Sequence, residues 1–154
     1  MKQRLSPLPI RQKILFAVFA GLLAVSVYFY IHDRSGARRM FYFPSYDGVT
    51  LYTEVRFLPK APAQGDIRLF VDELLLGPLT DRCRPLFSQG TRTLSCVQQA
   101  HTLYLDLSSE GFFSDGAAVP VREAVEILGK NIKANFPLLD TVEIFIAGVK
   151  VCDN

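Results

Sequence analysis

The hydrophobic pattern of the chain is dominated by a long apolar run near its N-terminus. From Ile14 to Ile31 the only clearly polar residue is Ser26, and Lys13 and the polar residues 32–34 border the run. At about 1.5 Å per helical residue, the 18 residues of this run reach about 27 Å, which is just enough for the hydrocarbon core of a bilayer. We therefore predict a transmembrane anchor over residues 14–31, preceded by a cytoplasmic tail of residues 1–13.

A cleaved signal peptide is the alternative interpretation of this run, with Ala24 and Ser26 as the small residues before the cut. Cleavage there would leave the apolar residues 27–31 as the new N-terminus, which favours an uncleaved anchor. Basic residues are slightly more frequent before the run than directly after it, which favours a cytoplasmic N-terminus. The pattern thus predicts a single-pass membrane protein whose C-terminal domain lies outside the cytoplasm.

The pattern changes after the anchor, where we interpret the polar residues 32–39 as a linker and residues 40–154 as one domain. Asp47-Gly48 is a strong turn signal between two apolar segments, so the domain is predicted to open with a β-hairpin. Two sets of residues alternate in its second strand, Leu51, Thr53, Val55 and Phe57 against Tyr52, Glu54 and Arg56. A period of two predicts that the first set is buried and the second exposed.

The remainder of the domain combines helical and extended periods. Apolar residues at helical spacing follow Asp66 until Gly77-Pro78, and a second helix is predicted from Pro120 to about Phe136. A second hairpin is predicted around Ala100-His101, and a last strand follows the second helix. The predicted order is ββαββαβ, an α+β fold in which two helices cover one face of a largely antiparallel sheet.

Charge is distributed unevenly along the chain. The formal net charge of +2 divides into about +6 for residues 1–39 and −4 for the rest. Binding of nucleic acid depends on clustered basic side chains that neutralise phosphates, and the domain has its basic residues dispersed. We therefore predict no nucleic-acid partner.

Catalytic residue types are present but do not form a pattern. His101, Asp106 and Ser108 are the residue types of a hydrolase triad, but they follow one another along a hairpin tip and its strand. Neighbouring acids such as Asp72 and Glu73 point about 100° apart on a helix. Neither metal-ligand spacing nor a phosphate-binding glycine loop is present. The sequence predicts a protein that is not an enzyme and has no metal or cofactor.

The cysteines allow two interpretations. In an exported domain Cys83 and Cys96 could form a disulfide that closes a small loop, worth about 3 kcal/mol in the chain-entropy model. Cys152 would then remain unpaired. The alternative is that all three are ordinary thiols, and the sequence leaves both interpretations open.

The order of the motifs resembles the GerMN domain, called the sporulation and spore germination domain. The similarity covers about residues 40–151 and rests on six segments: "FYF", "LYTEVRFLP", "LLLGP", "LFSQGTRTLSCV", "LYLDLSSE" and "VEIFIAG". It implies an extracytoplasmic, membrane-tethered domain, similar to ring-building modules, that acts by assembly and not by catalysis. The chain departs from the family in having one copy of the domain, no lipid-attachment cysteine, and "FSQ" before Gly90 where proline is common. A sporulation role is therefore not transferred.

These observations favour a noncatalytic, membrane-anchored envelope domain that mediates protein–protein assembly. Its partner would be an envelope protein or a second copy of the chain. The predicted contact residues lie on the second strand and on the first helix of the domain: Tyr52, Glu54, Arg56, Arg68 and Asp72. The alternative function is a module that binds a glycan or a small envelope molecule through stacked aromatic residues, Tyr42, Tyr46, Tyr52 and Phe57.

Overall fold

A computed structural model describes residues 9–33, 36–113, 116–117 and 119–151 of the chain. The chain divides into two compact units, Met1–Gly36 and Ala37–Asn154. Cys152 and most of the predicted cytoplasmic tail lie outside the described residues.

The first unit contains one helix, α1 (Ile10–Asp33), which includes the predicted anchor. Its 22-residue segment Ile10–Ile31 is the one described segment long and apolar enough to cross a membrane, and none of it is buried. The helix extends past the apolar run at both ends, because a helical backbone satisfies its own hydrogen bonds whether the side chains are apolar or charged. Its 24 residues reach about 36 Å.

The second unit opens with the predicted hairpin. Strands β1 (Ala37–Pro44) and β2 (Leu51–Leu58) pair antiparallel, with Phe41 opposite Glu54. The Ser45 amide donates to the Thr50 carbonyl at 2.7 Å and closes the loop, in which Gly48 has a φ of 73°. Because β1 begins at Ala37, the linker predicted over residues 32–39 is shorter than expected.

The remaining elements follow the predicted order. They are α2 (Asp66–Leu75), β3 (Thr93–Gln99), β4 (Thr102–Leu107), a 3₁₀ turn (Ser109–Phe112), α3 (Val121–Asn135), β5 (Thr141–Ile146) and β6 (Val149–Lys150). A tight turn at Ala147 and Gly148, with φ of 50° and 76°, adds the short strand β6 to the predicted ββαββαβ. The α+β class is confirmed.

The strands form two sheets where a single sheet was expected. Strands β1 and β2 form a sheet of their own, and the second sheet has the order β3-β4-β5-β6. Strands β4 and β5 run parallel because α3 connects them as a crossover, whereas the other paired strands are antiparallel. The prediction of largely antiparallel pairing therefore holds within each sheet.

One hydrophobic core joins both sheets to the helices α2 and α3. From the four-stranded sheet it takes Leu103, Leu105, Leu107, Val142, Ile144 and Ile146. The rings of Phe41 and Phe70 are 4.6 Å apart, and Phe70 meets Phe136 edge-on at 5.5 Å. The hairpin, α2 and the end of α3 thus meet in one aromatic cluster.

The edge of β1 that does not face β2 is paired with two asparagine side chains of α3. Asn131 accepts a hydrogen bond from the Tyr42 amide at 2.8 Å and donates to the Tyr42 carbonyl at 2.9 Å. Asn135, one helical turn later, does the same for Met40, at 2.8 and 2.6 Å. The two carboxamides take the place of a neighbouring strand, so this edge is unavailable for pairing with another chain.

Candidate functional site

Two of the predicted contact residues, Glu54 and Arg56, lie inside the domain. Their side chains are 11 % and 8 % exposed, and Arg56 Nη2 is 2.9 Å from Glu54 Oε2. The prediction that they face solvent is wrong, because the alternating faces of β2 are the reverse of those expected from its apolar pattern. Neither side chain is available to a partner.

Arg56 joins the hairpin to the end of α2. Its Nη1 donates to the Glu73 carbonyl at 3.1 Å and its Nη2 to the Gly77 carbonyl at 2.7 Å. The guanidinium carbon lies 4.7 Å from the ring centre of Phe41, a cation–π distance. Gly77 has a φ of 92°, and a Cβ there would contact Pro85 at 3.4 Å. Backbone carbonyls at the end of α2, in and just before the "LLLGP" segment, therefore accept hydrogen bonds from the buried Arg56.

Glu54 receives hydrogen bonds from the segment that follows this stop. Its carboxylate accepts from the Leu79 amide at 3.1 Å, from the Thr80 amide at 3.2 Å and from the Thr80 hydroxyl at 2.9 Å. Burial by itself raises the pKa of Glu54, but the hydrogen bonds from Arg56, Leu79 and Thr80 outweigh it and leave the pKa below its usual value. The ionised form of Glu54 is thus the form that stabilises the fold.

This carboxylate gives the domain an acid-dependent stability. A depressed folded-state pKa contributes stability above the unfolded pKa of about 4.3, and the contribution is lost as pH falls through the folded value. We expect Glu54→Gln to be less stable than the parent at pH 7 and to lose less stability on acidification below about pH 4.3. Urea unfolding measured across this pH range tests the prediction. Parallel pH profiles for the two proteins would contradict it.

The reversed strand exposes an apolar surface that the sequence pattern did not predict. Phe57, Leu51 and Val55 are 67 %, 46 % and 44 % exposed. Met40 and Tyr42 of β1 stand beside them and are half-buried. We refer to these five residues as the outer hairpin face. Tyr52 lies on the other side of the strand, and it remains exposed near the turn.

The remaining two predicted contact residues, Arg68 and Asp72, lie on the surface of α2. Their side chains are 42 % and 39 % exposed, and Arg68 Nε is 3.9 Å from Asp72 Oδ2, as the spacing predicted. They line a shallow groove of about 590 Å³ with Leu75, Leu76 and residues 89–93. Leu76 is 80 % exposed. We refer to this feature as the α2 groove.

The four aromatic residues predicted for ligand stacking do not form one surface. Tyr42 and Phe57 belong to the outer hairpin face, whereas Tyr52 is on the opposite side of the hairpin. Tyr46 is exposed, and the guanidinium of Arg84 stacks on its ring with the guanidinium carbon 3.9 Å from the ring centre. Nothing in this arrangement favours the ligand-binding alternative.

The three residues of the hydrolase types each make a structural contact. His101 Nδ1 is 2.8 Å from the Leu138 carbonyl, and Asp106 accepts from the Gly148 amide at 3.1 Å. The Ser108 hydroxyl accepts from the Arg92 amide at 3.0 Å. Within the described ranges, no group of His, Cys, Asp or Glu side chains is placed to hold a metal.

The two described cysteines are free thiols in this structure, which corresponds to the second of the two interpretations that the sequence left open. Cys83 is buried beside Thr80 and forms an isolated β-bridge with Ser45, the residue directly after β1. Cys96 lies on β3 near Arg68 and Asp72, and burial raises the pKa of its thiol. Cys83 thus lies in the segment after α2, and Cys96 lies on the four-stranded sheet.

Comparison with known proteins agrees with this fold. The chain is similar to the first GerMN domain of the sporulation protein GerM from Bacillus subtilis, with 18 % identity, a TM-score of 0.56, and coverage of 74 % of this chain and 85 % of that domain. It is also similar to the tandem GerMN domains of the same protein, with 18 % identity, a TM-score of 0.57, and coverage of 75 % of this chain and 41 % of the tandem. No curated protein sequence matches the chain. The family model described as "Sporulation and spore germination" matches residues 40–152, and the chain therefore belongs to the Germane (GerMN) family.

Proposed function

We propose that this chain is a noncatalytic, membrane-anchored domain of the bacterial envelope that assembles with other proteins. The observation that supports it is the direct connection of an uncovered apolar helix to a domain with its own core. Helix α1 ends at Asp33 and β1 begins at Ala37, so three residues separate the helix from the first strand of the domain. Such a chain holds a folded domain close to a membrane surface, where it meets other envelope proteins.

The α2 groove is the proposed contact surface for a protein partner. It combines the strongly exposed Leu76 with the half-exposed pair Arg68 and Asp72, and its other wall is residues 89–93, the segment that leads into β3. An apolar residue surrounded by charged and polar groups is the arrangement typical of non-obligate protein interfaces. The groove is open and shallow, so it suits a protein surface better than a small molecule.

The orientation follows the sequence prediction, with the N-terminus in the cytoplasm and the domain Ala37–Asn154 outside it. Protease added to spheroplasts is then expected to remove the domain from the membrane fraction, whereas a cytoplasmic control protein stays intact. Protection of the domain until the membrane is broken would contradict this orientation.

Site-specific photo-crosslinking in intact cells tests the assembly role. A photoreactive residue at Asp72 or Leu76 is expected to give adducts with a protein, because both positions line the α2 groove. Lys133 is the matched control, since it is an exposed position on the helix α3 outside the groove. Equal adduct yields at all three positions, or adducts with glycan alone at the groove, would overturn the proposal.

A further inference from the structure

We propose that the base of the hairpin binds the lipid headgroup region next to the anchor, with Phe57 and Val55 in contact with lipid and Arg38 and Lys60 directed to anionic headgroups. This inference rests on the proposed membrane anchor. It assigns a lipid surface as the occupant of the end of the outer hairpin face that contains Phe57 and Val55.

The chemistry of this surface is that of a membrane interface. Phe57 is 67 % exposed and stands directly opposite Arg38, which is also exposed. Lys60 is exposed three residues after Phe57. An aromatic ring between basic side chains is favoured at the boundary between acyl chains and anionic headgroups, where the ring enters the boundary and the cations attract phosphate.

The charges around this surface are free to act on lipid. Arg38 and Lys60 make no ion pair with any residue of the described part of the chain. The neighbouring Arg39 is already engaged, since it donates to the Asn135 carbonyl at 2.9 Å and faces Asp66 at 3.7 Å. Asp66 is thereby paired, and Glu54 is buried on the other face of the hairpin, so neither acid opposes an anionic surface here.

The length of the chain favours lipid over a protein as the occupant. Arg38 follows Asp33 by five residues, so their Cα atoms are at most about 18 Å apart at any orientation of the domain. Helix α1 reaches about 36 Å, which exceeds a hydrocarbon core of about 30 Å and places its end among the headgroups. The tether therefore keeps Arg38 within reach of lipid headgroups, whereas a protein partner would have to be recruited to this face.

The absence of tryptophan from the chain makes the test direct. In Phe57→Trp the new residue is the sole tryptophan, and the full chain is reconstituted into phosphatidylglycerol-containing phosphatidylcholine vesicles with brominated acyl chains. Bromine quenches tryptophan on contact, so loss of most of the emission is expected. In Val97→Trp, a control at a position 56 % exposed on β3, the emission is expected to be retained.

A second pair of variants keeps the inference falsifiable. Leu51→Trp, six residues and about 20 Å along the same strand, is expected to be quenched less than Phe57→Trp. Adding Arg38→Glu and Lys60→Glu to Phe57→Trp is expected to restore emission in anionic vesicles. Arg38 and Lys60 are both exposed, so replacing them leaves the core packing unchanged.

Two other quenching results, and a failure of the chain to float with the vesicles, would each overturn the inference. If the emission of Phe57→Trp is not quenched by bromine and is quenched freely by acrylamide, the face is in water, whereas emission shielded from both quenchers shows that protein covers the face. In both cases flotation with the vesicles shows that the anchor, on which the proposed function also depends, is still in place. A chain that does not float removes the anchor and this inference together.

Discussion

Replacing Arg56 by methionine is expected to lower the unfolding free energy of the domain by about 3–5 kcal/mol, the cost typical of removing one member of a buried ion pair. Glu54, only 11 % exposed, would keep its charge without the guanidinium 2.9 Å away. The carbonyls of Glu73 and Gly77 would also lose their donors. The methionine fills similar space against Phe41, so the loss reports the polar contacts more than the packing.

Urea unfolding of the unit Ala37–Asn154, followed by circular dichroism, measures this loss. Arg68→Met is the matched control, because its partner Asp72 is exposed and such surface pairs contribute at most about 1 kcal/mol. Adding Glu54→Gln to Arg56→Met is expected to recover part of the stability, since the unpaired buried charge is then removed. A loss in Arg56→Met no larger than that in Arg68→Met would contradict the assigned role of Arg56.

The orientation of β2 could not be obtained from its alternating pattern alone. The strand β1 is apolar on both faces over Met40, Phe41, Tyr42 and Phe43, so it gives no preference for one face. The pattern of β2 is then the remaining local signal, and it places the charged residues outside. The structure reverses this because Arg56 stacks on Phe41 and finds carbonyl acceptors at the end of α2, which compensates for its burial.

Other parts of the fold were accessible from the sequence because they depend on local signals. The helical period of α2 and its end before Gly77, the hairpin turns at Gly48 and Ala100, and the order of elements follow from spacing and turn chemistry. The separation into two sheets depends on which strand edges meet in space. The side chain of Asn131 prevents a strand from joining β1, and a single asparagine in a helical pattern carries no signal for that role.

The predicted contact residues fall into two groups, because the sequence signal for helix α2 is stronger than the signal for strand β2. The helical period of α2 predicts that Arg68 and Asp72 lie on the surface, and the core-facing stripe of Phe70, Val71 and Leu74 makes this prediction unambiguous. The predicted exposure of Glu54 and Arg56 depends on a two-residue period, and such a period cannot distinguish a solvated charge from a buried and paired one. The buried pair is recognisable only when its partners on distant segments are known.

Replacing Asn131 by aspartate is expected to cost about 3 kcal/mol or more at pH 7, although the two side chains have the same shape. Asn131 is fully buried, and its Nδ2 donates to the carbonyls of Tyr42 and Ile127 at 2.9 and 3.0 Å. A carboxylate at this place removes both donors, sets its charge against the two carbonyl oxygens and has no access to water. The Tyr42 carbonyl on the edge of β1 would lose its donor from α3, while Asn135 would keep its bonds to Met40.

The pH dependence of this loss has the opposite sign to that of Glu54. Burial and the two carbonyls raise the folded-state pKa of the new aspartate, so the neutral acid costs little and the penalty grows as pH rises above the unfolded pKa of about 3.9. Urea unfolding between pH 4 and pH 8 should therefore show the stability of Asn131→Asp falling behind that of the parent as pH increases. Asn135→Asp, which makes the equivalent bonds to Met40 but is only half-buried, is expected to lose less because water reaches its carboxylate. Equal losses at the two positions, or a deficit in Asn131→Asp that is independent of pH, would show that the β1 edge is not held by a buried amide.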